Sequence, residues 1–202
     1  MTFTLPGGAT VHALNNVSLD IKQGQMVSVL GPSGCGKTTL LNIVAGFLSP
    51  TSGEVRLNNH VVTGPGAERG MVFQQGALFE WMTVNENIEF GPKMDEPLGA
   101  LDALTREKMQ GLVLRLWKET GKTIILITHS VEEALFLGER LIVMAPRPGR
   151  IIKEYNLPFP EQALITEARE VKASAEFVAT REEVLSMIWD MEEEIMGGGD
   201  GT

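Results

Sequence analysis

The sequence predicts an α/β fold, in which helices pack on both faces of a central β-sheet. Short apolar, β-branched runs typical of buried strands alternate with longer segments whose apolar residues recur every three or four positions, as in helices. In addition, a glycine-rich segment over residues 31–39 separates a strand-like run from a helix-like run. Together these observations indicate alternating strands and helices around one sheet.

In the first half of the chain, apolar positions on either side of Gly24 predict two strands, over residues 17–23 and 26–30. The apolar, proline-free residues 38–47 predict a buried helix after the glycine-rich segment. Shorter runs predict strands over residues 54–57 and 71–73, and a helix over residues 83–90 with Thr83 as its cap.

In the second half, a helix is predicted between Asp102 and Gly121, and a β-branched strand over residues 123–128. A short helix over residues 133–138 then leads to a hairpin of strands 140–144 and 150–155 around the turn APRPG. Past Pro160, Glu-rich helical segments carry an apolar face, which we expect to pack within the subunit, with a partner as the alternative.

Length and composition exclude several classes of protein. With 202 residues, 43% of them apolar, the chain can form one domain with appendages. A net charge of −9 without a basic run argues against a nucleic-acid partner. The single cysteine, Cys35, excludes an internal disulfide, and its place among glycines favours a tolerated small side chain over a redox centre. No apolar run approaches the ~20 residues of a membrane span, and no signal segment is apparent, so we expect a cytoplasmic protein.

The segment GPSGCGKTT matches the phosphate-binding pattern GxxxxGK[ST]. Glycines let backbone N–H groups approach phosphate oxygens, the following helix directs its positive end at them, Lys37 adds a cation, and Thr38 can reach Mg²⁺. The alternative is a glycine-rich turn with a solvated lysine. The predicted nucleotide-binding residues are Gly31, Ser33, Gly34, Cys35, Gly36, Lys37, Thr38 and Thr39.

The phosphate-binding pattern alone does not choose among kinases, GTPases and transport ATPases. No NKxD pattern for guanine is present, and neither the phosphate-acceptor site nor the arginine-rich lid of a kinase is apparent. Three further motifs follow in the order found in ABC-type ATPases: MVFQQ at residues 71–75, MDEPLGALD at residues 94–102 and ITHS at residues 127–130.

Over residues 10–158 the chain therefore resembles the ATP-binding subunit of an ABC importer. GPGAERGMVFQ, ALDALTREKMQ and THSVEEALFLGERLIVMAPRPGRI are similar to the branch that imports taurine, alkanesulfonates or nitrate. The resemblance implies a P-loop NTPase fold with a mixed central sheet and an antiparallel β portion, and it implies ATP and Mg²⁺ as cofactors. It also implies membrane-spanning permease subunits, a second ATPase subunit and, indirectly, a periplasmic or lipid-anchored solute-binding protein as partners.

The same resemblance assigns roles to residues outside the phosphate-binding pattern. Gln74 would sense Mg²⁺ and the attacking water while touching the membrane subunit, or it is simply a polar strand end. Asp95 would hold Mg²⁺ and Glu96 would polarise the attacking water, whereas a bare acidic pair is usually a solvated face. His129 would reach the γ-phosphate from the carboxyl edge of the sheet, although a lone histidine is more often structural.

Two further residues have weaker assignments by resemblance. Asp102 matches the aspartate through which the two ATPase subunits of a dimer communicate, but it could equally be a helix N-cap. Phe3 is the candidate aromatic residue that stacks on adenine, with a place in the core as the alternative.

The chain departs from the family between the glutamine and acidic motifs. Family members carry there a helical segment that ends in a signature resembling LSGGQ, and this chain has neither, so the helical subdomain is absent. Lys37 and Asp95 are only 58 positions apart (95 minus 37). Gly91, Pro92, Lys93 and Met94 replace the apolar strand that normally precedes the aspartate, and glycine and proline are poor residues for a central strand.

We draw two hypotheses from this departure. Without its strand, Asp95 would not be held below the phosphates, and Mg²⁺-dependent hydrolysis would be weak. Without the signature, two copies would not form the closed nucleotide sandwich of the family. An internal deletion, a fragment and a degenerate paralogue would all give this sequence.

The predicted organisation is a nucleotide-binding domain over residues 1–158, shortened near residues 91–94, then a helical extension over residues 159–196 and a flexible tail over residues 197–202. The resemblance places the protein on the inner face of the cell membrane as a peripheral subunit. It does not identify the solute.

Overall fold

The computed structural model describes residues 1–69, 93–95 and 103–197. The described strands are β1 Thr2–Thr4, β2 Thr10–His12, β3 Met26–Leu30, β4 Arg56–Leu57, β5 His60–Val61, β6 Lys93–Asp95, β7 Ile124–Ile127, β8 Arg140–Ala145 and β9 Arg150–Asn156. The described helices are α1 Lys37–Ala45, α2 Ala103–Thr120, α3 Val131–Leu137, α4 Phe159–Ala163, α5 Ala168–Ala173 and α6 Ala175–Gly197.

The described residues form a central mixed sheet with five strands in the order β6-β7-β3-β8-β9. The first four strands are parallel, and β9 returns antiparallel to β8 as the predicted hairpin. Two small antiparallel sheets, β1-β2 and β4-β5, accompany it. The predicted α/β fold with a mixed sheet and an antiparallel portion is therefore confirmed.

Alternation along the central strands divides the apolar side chains between two cores. On β3, Met26 and Leu30 face one core while Val27 and Val29 face the other, because successive residues of a strand point to opposite faces. The first core lies under α2, α3 and the C-terminal helices, and the second lies under α1 and the N-terminal segment. The sheet is thus covered on both faces, which explains why all five β3 residues are buried.

The strand predicted over residues 17–23 is wrong, since this segment is not part of a strand. Its apolar alternation is nevertheless real: Val17, Leu19 and Ile21 are half-buried and pack against the second core, and the intervening Ser18 and Asp20 are exposed. The segment lies on the sheet as an extended cover and joins no strand ladder.

The C-terminal helices pack on the first core. Phe177 and Val184 of α6 are fully buried, and the Phe177 ring meets Phe159 of α4 edge-on with ring centroids 4.8 Å apart. At the surface, Glu183 of α6 accepts hydrogen bonds from Lys153 and Tyr155 of β9, which lowers the pKa of the Glu183 carboxyl. The apolar face predicted past Pro160 therefore contacts its own subunit.

Among the described residues, no helix is both long and apolar enough to cross a bilayer.

Candidate functional site

The glycine-rich segment forms the connection between β3 and α1. β3 ends at the buried Leu30, residues 31–36 form the loop, and α1 begins at Lys37. A turn closed by the Cys35 N–H and the Pro32 carbonyl (3.3 Å) exposes Ser33 and Gly34 at the tip. The N–H groups in the first turn of α1 have no intrahelical acceptor and give this end of the helix its partial positive charge. The loop is thus built to receive an anion.

Lys37 lies inside the loop and is not a solvated lysine. Its side chain is buried, and Nζ donates hydrogen bonds to the carbonyl oxygens of Gly31 (2.7 Å) and Pro32 (3.2 Å). A buried ammonium is stable only with such acceptors around it. The loop therefore holds one positive charge at a fixed place among its own backbone groups.

Close packing explains why two loop positions are glycine. Gly36 has a φ of 93°, and a Cβ there would lie 2.6 Å from Leu14 Cδ2. On Gly31, a Cβ would lie 2.3 Å from the Met144 carbonyl oxygen of β8. The loop is consequently held between the N-terminal segment and the sheet, and any side chain at these two positions would displace it.

Cys35 is fully buried below the loop, with Sγ 3.7 Å from Lys37 Nζ. Burial raises the pKa of the thiol, and this effect exceeds the opposing effect of the Lys37 charge. Because the thiolate is the reactive form, a raised pKa agrees with the prediction that Cys35 is a packed side chain and not a redox centre.

A cavity of about 450 Å³ opens beside the start of α1. It brings Phe3 of β1 together with Thr38 and Thr39, two predicted nucleotide-binding residues. Phe3 is half-buried and lies opposite Val11 in the β1-β2 hairpin. An aromatic ring next to the loop is what adenine stacking requires, and the assignment of Phe3 to adenine stays a prediction.

Three lining residues of this cavity, Asn42, Phe47 and Leu48, were not predicted from the sequence. Asn42 follows Thr38 by four residues on α1, so helical spacing places both on one face and could have identified it. Phe47 and Leu48 follow the end of the helix, where spacing gives no such signal.

The carboxyl ends of three parallel strands meet beside the loop. Val29 of β3 lies opposite Ile127 of β7, which in turn lies opposite Asp95 of β6. Gly31 lies two residues past Val29. His129, which is exposed, lies two residues past Ile127. Open α/β sheets bind ligands at this edge, so the fold directs the loop, His129 and the β6 terminus toward one region.

The expectation that Asp95 lacks a strand is wrong. Residues 93–95 form β6, which pairs in parallel with β7 along its whole length. Three residues suffice for this pairing, although Gly91 and Pro92, poor strand formers, come directly before them in the sequence. The backbone of Asp95 is therefore held in register with β7 and, through it, with β3.

Three predicted residues, Gln74, Glu96 and Asp102, lie outside the described residues, as do the predicted strand 71–73 and the predicted helix 83–90. The predicted tail lies outside as well, apart from Gly197, the last residue of α6.

The turn that carries His129 is held by its own neighbours. Ser130 is the N-cap of α3, its Oγ accepting from the Glu133 N–H at 3.2 Å. Thr128 Oγ1 accepts from the Ser130 N–H (3.1 Å) and donates to the buried carboxylate of Glu133 (2.6 Å). Glu133 was not predicted as a site residue, although a Ser followed three residues later by Glu at a helix start is a capping signal.

Comparisons with known proteins agree with this geometry. The sequence profile described as "ABC transporter" matches residues 14–141. The "Taurine import ATP-binding protein TauB" of Roseobacter denitrificans is 60% identical over 253 residues, covering 98% of this chain and 94% of that protein. The protein of the same name from Yersinia pestis bv. Antiqua is 40% identical over 237 residues, covering 90% of this chain and 93% of that protein.

Solved structures show the same likeness. The ATP-binding cassette MJ0796, in a dimeric post-hydrolysis state bound to ADP and Pi, matches with a TM-score of 0.64 at 28% identity over 77% of this chain and 95% of that one. The protein cbiO1 from Clostridium perfringens, part of the transporter complex cbiONQ, matches with a TM-score of 0.60 over 90% of this chain and 96% of that one. At 20% identity, the second match shows a shared fold.

The lengths of these alignments bear on the missing segment. The Roseobacter alignment spans 253 residues and this chain has 202, so at least 51 aligned positions (253 minus 202) have no residue here. Because 98% of the chain is aligned, the unmatched positions lie within it and not beyond its ends. This agrees with an internal shortening relative to the relatives.

Proposed function

This chain belongs to the ABC transporter family, and we propose that it is the ATP-binding subunit that energises import of taurine or a closely related small sulfonate. The observation that carries this function is the loop after β3, whose buried Lys37 and helix N-terminus suit the phosphates of a nucleotide. The substrate class comes from relatives named as taurine import proteins, which match almost the whole chain.

The family implies that the nucleotide is ATP, and adenine would stack on Phe3 in the cavity beside Thr38 and Thr39. For Mg²⁺ we propose Thr38, Asp95 and Gln74, whose oxygens suit a hard cation. Thr38 is exposed on the first turn of α1, and the Asp95 backbone is at the terminus of β6.

For hydrolysis we propose Glu96 as the residue that polarises the attacking water, with Gln74 beside it and His129 at the γ-phosphate. The support for His129 is its place two residues past Ile127, level with the loop on the neighbouring strand. The support for Glu96 is that it directly follows Asp95 in the sequence, and Asp95 is paired with Ile127 of β7.

The alternative, a nucleotide-binding module without effective ATPase activity, is not favoured. It rests on the missing segment, whereas relatives named as taurine import ATP-binding proteins match almost the whole chain, and the strand before Asp95 is present.

As partners we propose membrane-spanning permease subunits, a solute-binding protein acting through them, and a second ATPase subunit. The chain would then lie on the inner face of the cell membrane as a peripheral subunit. The relatives named "Taurine import ATP-binding protein TauB" support the proposal.

Binding of a fluorescent ATP analogue to the purified chain tests the nucleotide site. Lys37→Met should weaken binding at least tenfold, because a buried cation at the phosphates is lost. Lys22→Met, which removes an exposed lysine elsewhere, is the matched control and should leave affinity unchanged. Equal affinity for the Lys37→Met variant and the wild type would contradict the proposed site.

Uptake of radiolabelled taurine into vesicles that contain the chain with its permease and binding protein tests the transport role. We expect ATP-dependent uptake that unlabelled alkanesulfonates compete for and that Lys37→Met abolishes. Uptake that proceeds equally without this chain would refute the role.

A further inference from the structure

A line of hydrogen bonds joins the His129 turn to the C-terminal helices. Thr128 Oγ1 donates to Glu133 Oε2 (2.6 Å), and Gln110 Nε2 of α2 donates to Glu133 Oε1 (3.4 Å). Gln110 Oε1 accepts in turn from Lys172 Nζ of α5 (3.0 Å). Three segments that are far apart in the sequence thus meet in one network, which runs Thr128, Glu133, Gln110, Lys172.

The network is buried, so its polar atoms need hydrogen-bond partners within the protein. Thr128, Glu133 and Gln110 have exposed fractions of 2%, 4% and 2%. A buried carboxylate is costly unless its oxygens are hydrogen-bonded, and a buried amide is costly unless its donor and acceptor are both used. Each side chain in the network therefore has one favourable orientation, which its neighbours specify.

Lys172 supplies the positive charge at the far end. Besides its bond to Gln110, its Nζ pairs with Glu132 Oε1 at 2.9 Å and lies 4.7 Å from the centre of the Phe136 ring. All three contacts are to α2 or α3, so the lysine binds α5 to the helix that follows the His129 turn. Its side chain is only 18% exposed.

At the near end, the network fixes the backbone on both sides of His129. The Thr128 hydroxyl is held by Glu133, and the same hydroxyl accepts from the Ser130 N–H at 3.1 Å. The Thr128 N–H also reaches the Val29 carbonyl oxygen of β3 at 3.4 Å. Residues 128 and 130 are thereby anchored, and the imidazole of residue 129 projects from a fixed turn.

We propose that Glu133 is a positioning residue for His129 and that Lys172, in the C-terminal extension, sets this position through Gln110. The inference rests on the proposed function for the role of His129. Loss of Glu133 or of the Thr128 hydroxyl frees the turn and misplaces the imidazole, while the phosphate-binding loop on β3 keeps its own contacts. Lys172 acts over a longer path and has a smaller effect.

Imidazole NMR signals of the full chain test the positioning directly, without any need for turnover. The chain has three histidines, so His12→Gln and His60→Gln assign the His129 signal by elimination. Thr128→Val keeps the side-chain shape and removes the hydroxyl, and Glu133→Gln keeps an acceptor oxygen. We expect Thr128→Val and Glu133→Ala to shift or broaden the His129 signal, Glu133→Gln and Lys172→Met to do so less, and the other two signals to stay in place.

The matched control is Lys118→Met, which removes another interhelical ion pair, to Glu161, outside the network. It should leave the His129 signal unchanged. An unchanged His129 signal in folded Glu133→Ala and Thr128→Val would overturn the positioning role, as would a shift of equal size in the Lys118→Met control.

Kinetics of the chain provide the second measurement. We expect Thr128→Val to lower kcat for ATP about tenfold with KM changed less than threefold, and Glu133→Gln to restore part of what Glu133→Ala loses. Equal losses in kcat and in ATP affinity would contradict positioning and indicate a general structural defect. Absence of turnover in the wild type would count against the proposed function, while the NMR result would still decide the positioning role.

Discussion

At the scale of single residues, the phosphate-binding loop depends on close packing as much as on its chemistry. The Lys37 ammonium is held by loop carbonyls, Gly31 faces the Met144 carbonyl oxygen, and Gly36 faces the Leu14 side chain. The sequence pattern predicts the residue types in this loop because local backbone geometry requires them. It does not predict the packing partners Leu14 and Met144, which reach the loop from other segments.

Two loop glycines allow the cost of backbone strain to be measured separately from the cost of close packing. Gly34 has a φ of 78°, and a Cβ added there would have no other atom within 4 Å. Gly36 has a φ of 93°, and a Cβ added there would clash with Leu14. Gly34→Ala should lower the free energy of unfolding by about 1–2 kcal/mol, the cost of a left-handed backbone for alanine. Gly36→Ala should cost more and weaken nucleotide binding, as urea unfolding and analogue titration would measure. Equal losses of unfolding free energy in the two variants would show that the Leu14 side chain moves aside at little cost.

The thiol of Cys35 should lose its proton at a higher pH than an ordinary cysteine does. Burial raises its pKa, so the folded chain keeps the unreactive protonated form at pH values where the unfolded chain already forms thiolate. As pH rises above the ordinary thiol range, the folded state is penalised, because it binds a proton that the unfolded state has lost.

Alkylation followed by mass spectrometry measures this behaviour on the only cysteine of the chain. The folded protein should react more slowly than the urea-unfolded protein between about pH 7 and 9, and Lys37→Met should slow it further by removing the cation that favours thiolate. Equal rates in the folded and unfolded chains would refute the effect of burial.

At the scale of elements, helices and buried strands were the parts that the sequence could predict. β3 has its predicted bounds, and α1, α2 and β7 begin within one residue of theirs, because periodicity and β-branched runs are local signals. β6 was missed because its existence depends on pairing with β7, a tertiary contact that outweighs the poor strand composition around Pro92. The network through Glu133 was missed for a similar reason: Gln110 and Lys172 come from distant segments and meet residues 128–133 only in the fold.

The docking of α6 gives a prediction at this scale. Phe177 is fully buried against Phe159, and Trp189 on the same helix is 58% exposed. Phe177→Ala should lower the free energy of unfolding by about 3–5 kcal/mol, since a large cavity forms in the first core. Trp189→Ala, the matched control, should change it by no more than about 0.5 kcal/mol. Urea denaturation followed by circular dichroism measures both, and similar effects would mean that α6 does not dock as described.

At the scale of the whole molecule, the chain keeps the central sheet and the phosphate-binding loop of its family while lacking at least 51 aligned positions of a relative (253 minus 202). The C-terminal helices complete the first core, which suggests that the remaining chain folds without the lost segment. We therefore expect the missing positions to affect association with a partner more than the core.

Association of two copies of this chain should be impaired, and the second ATPase subunit proposed above would then be a chain that supplies the signature. In the family, each ATP site is completed by the signature of the partner, and no such signature is present in this sequence. With ATP and Glu96→Gln to prevent hydrolysis, light scattering should still give the mass of one chain, 22.0 kDa.

A full-length relative carrying the corresponding substitution is the positive control and should double its mass. A nucleotide-driven dimer of this chain would contradict the prediction and imply that another segment replaces the signature.

Among the described strands, β6 comes last in the central sheet, where it pairs with β7. Residues gained or lost next to β6 would disturb that described pairing and leave the register of β3, β7 and β8 intact, which gives this position freedom to vary in length. The strand that bears the phosphate-binding loop lies two places further in and has no such freedom. We therefore expect changes in chain length to be tolerated beside β6 and not beside β3.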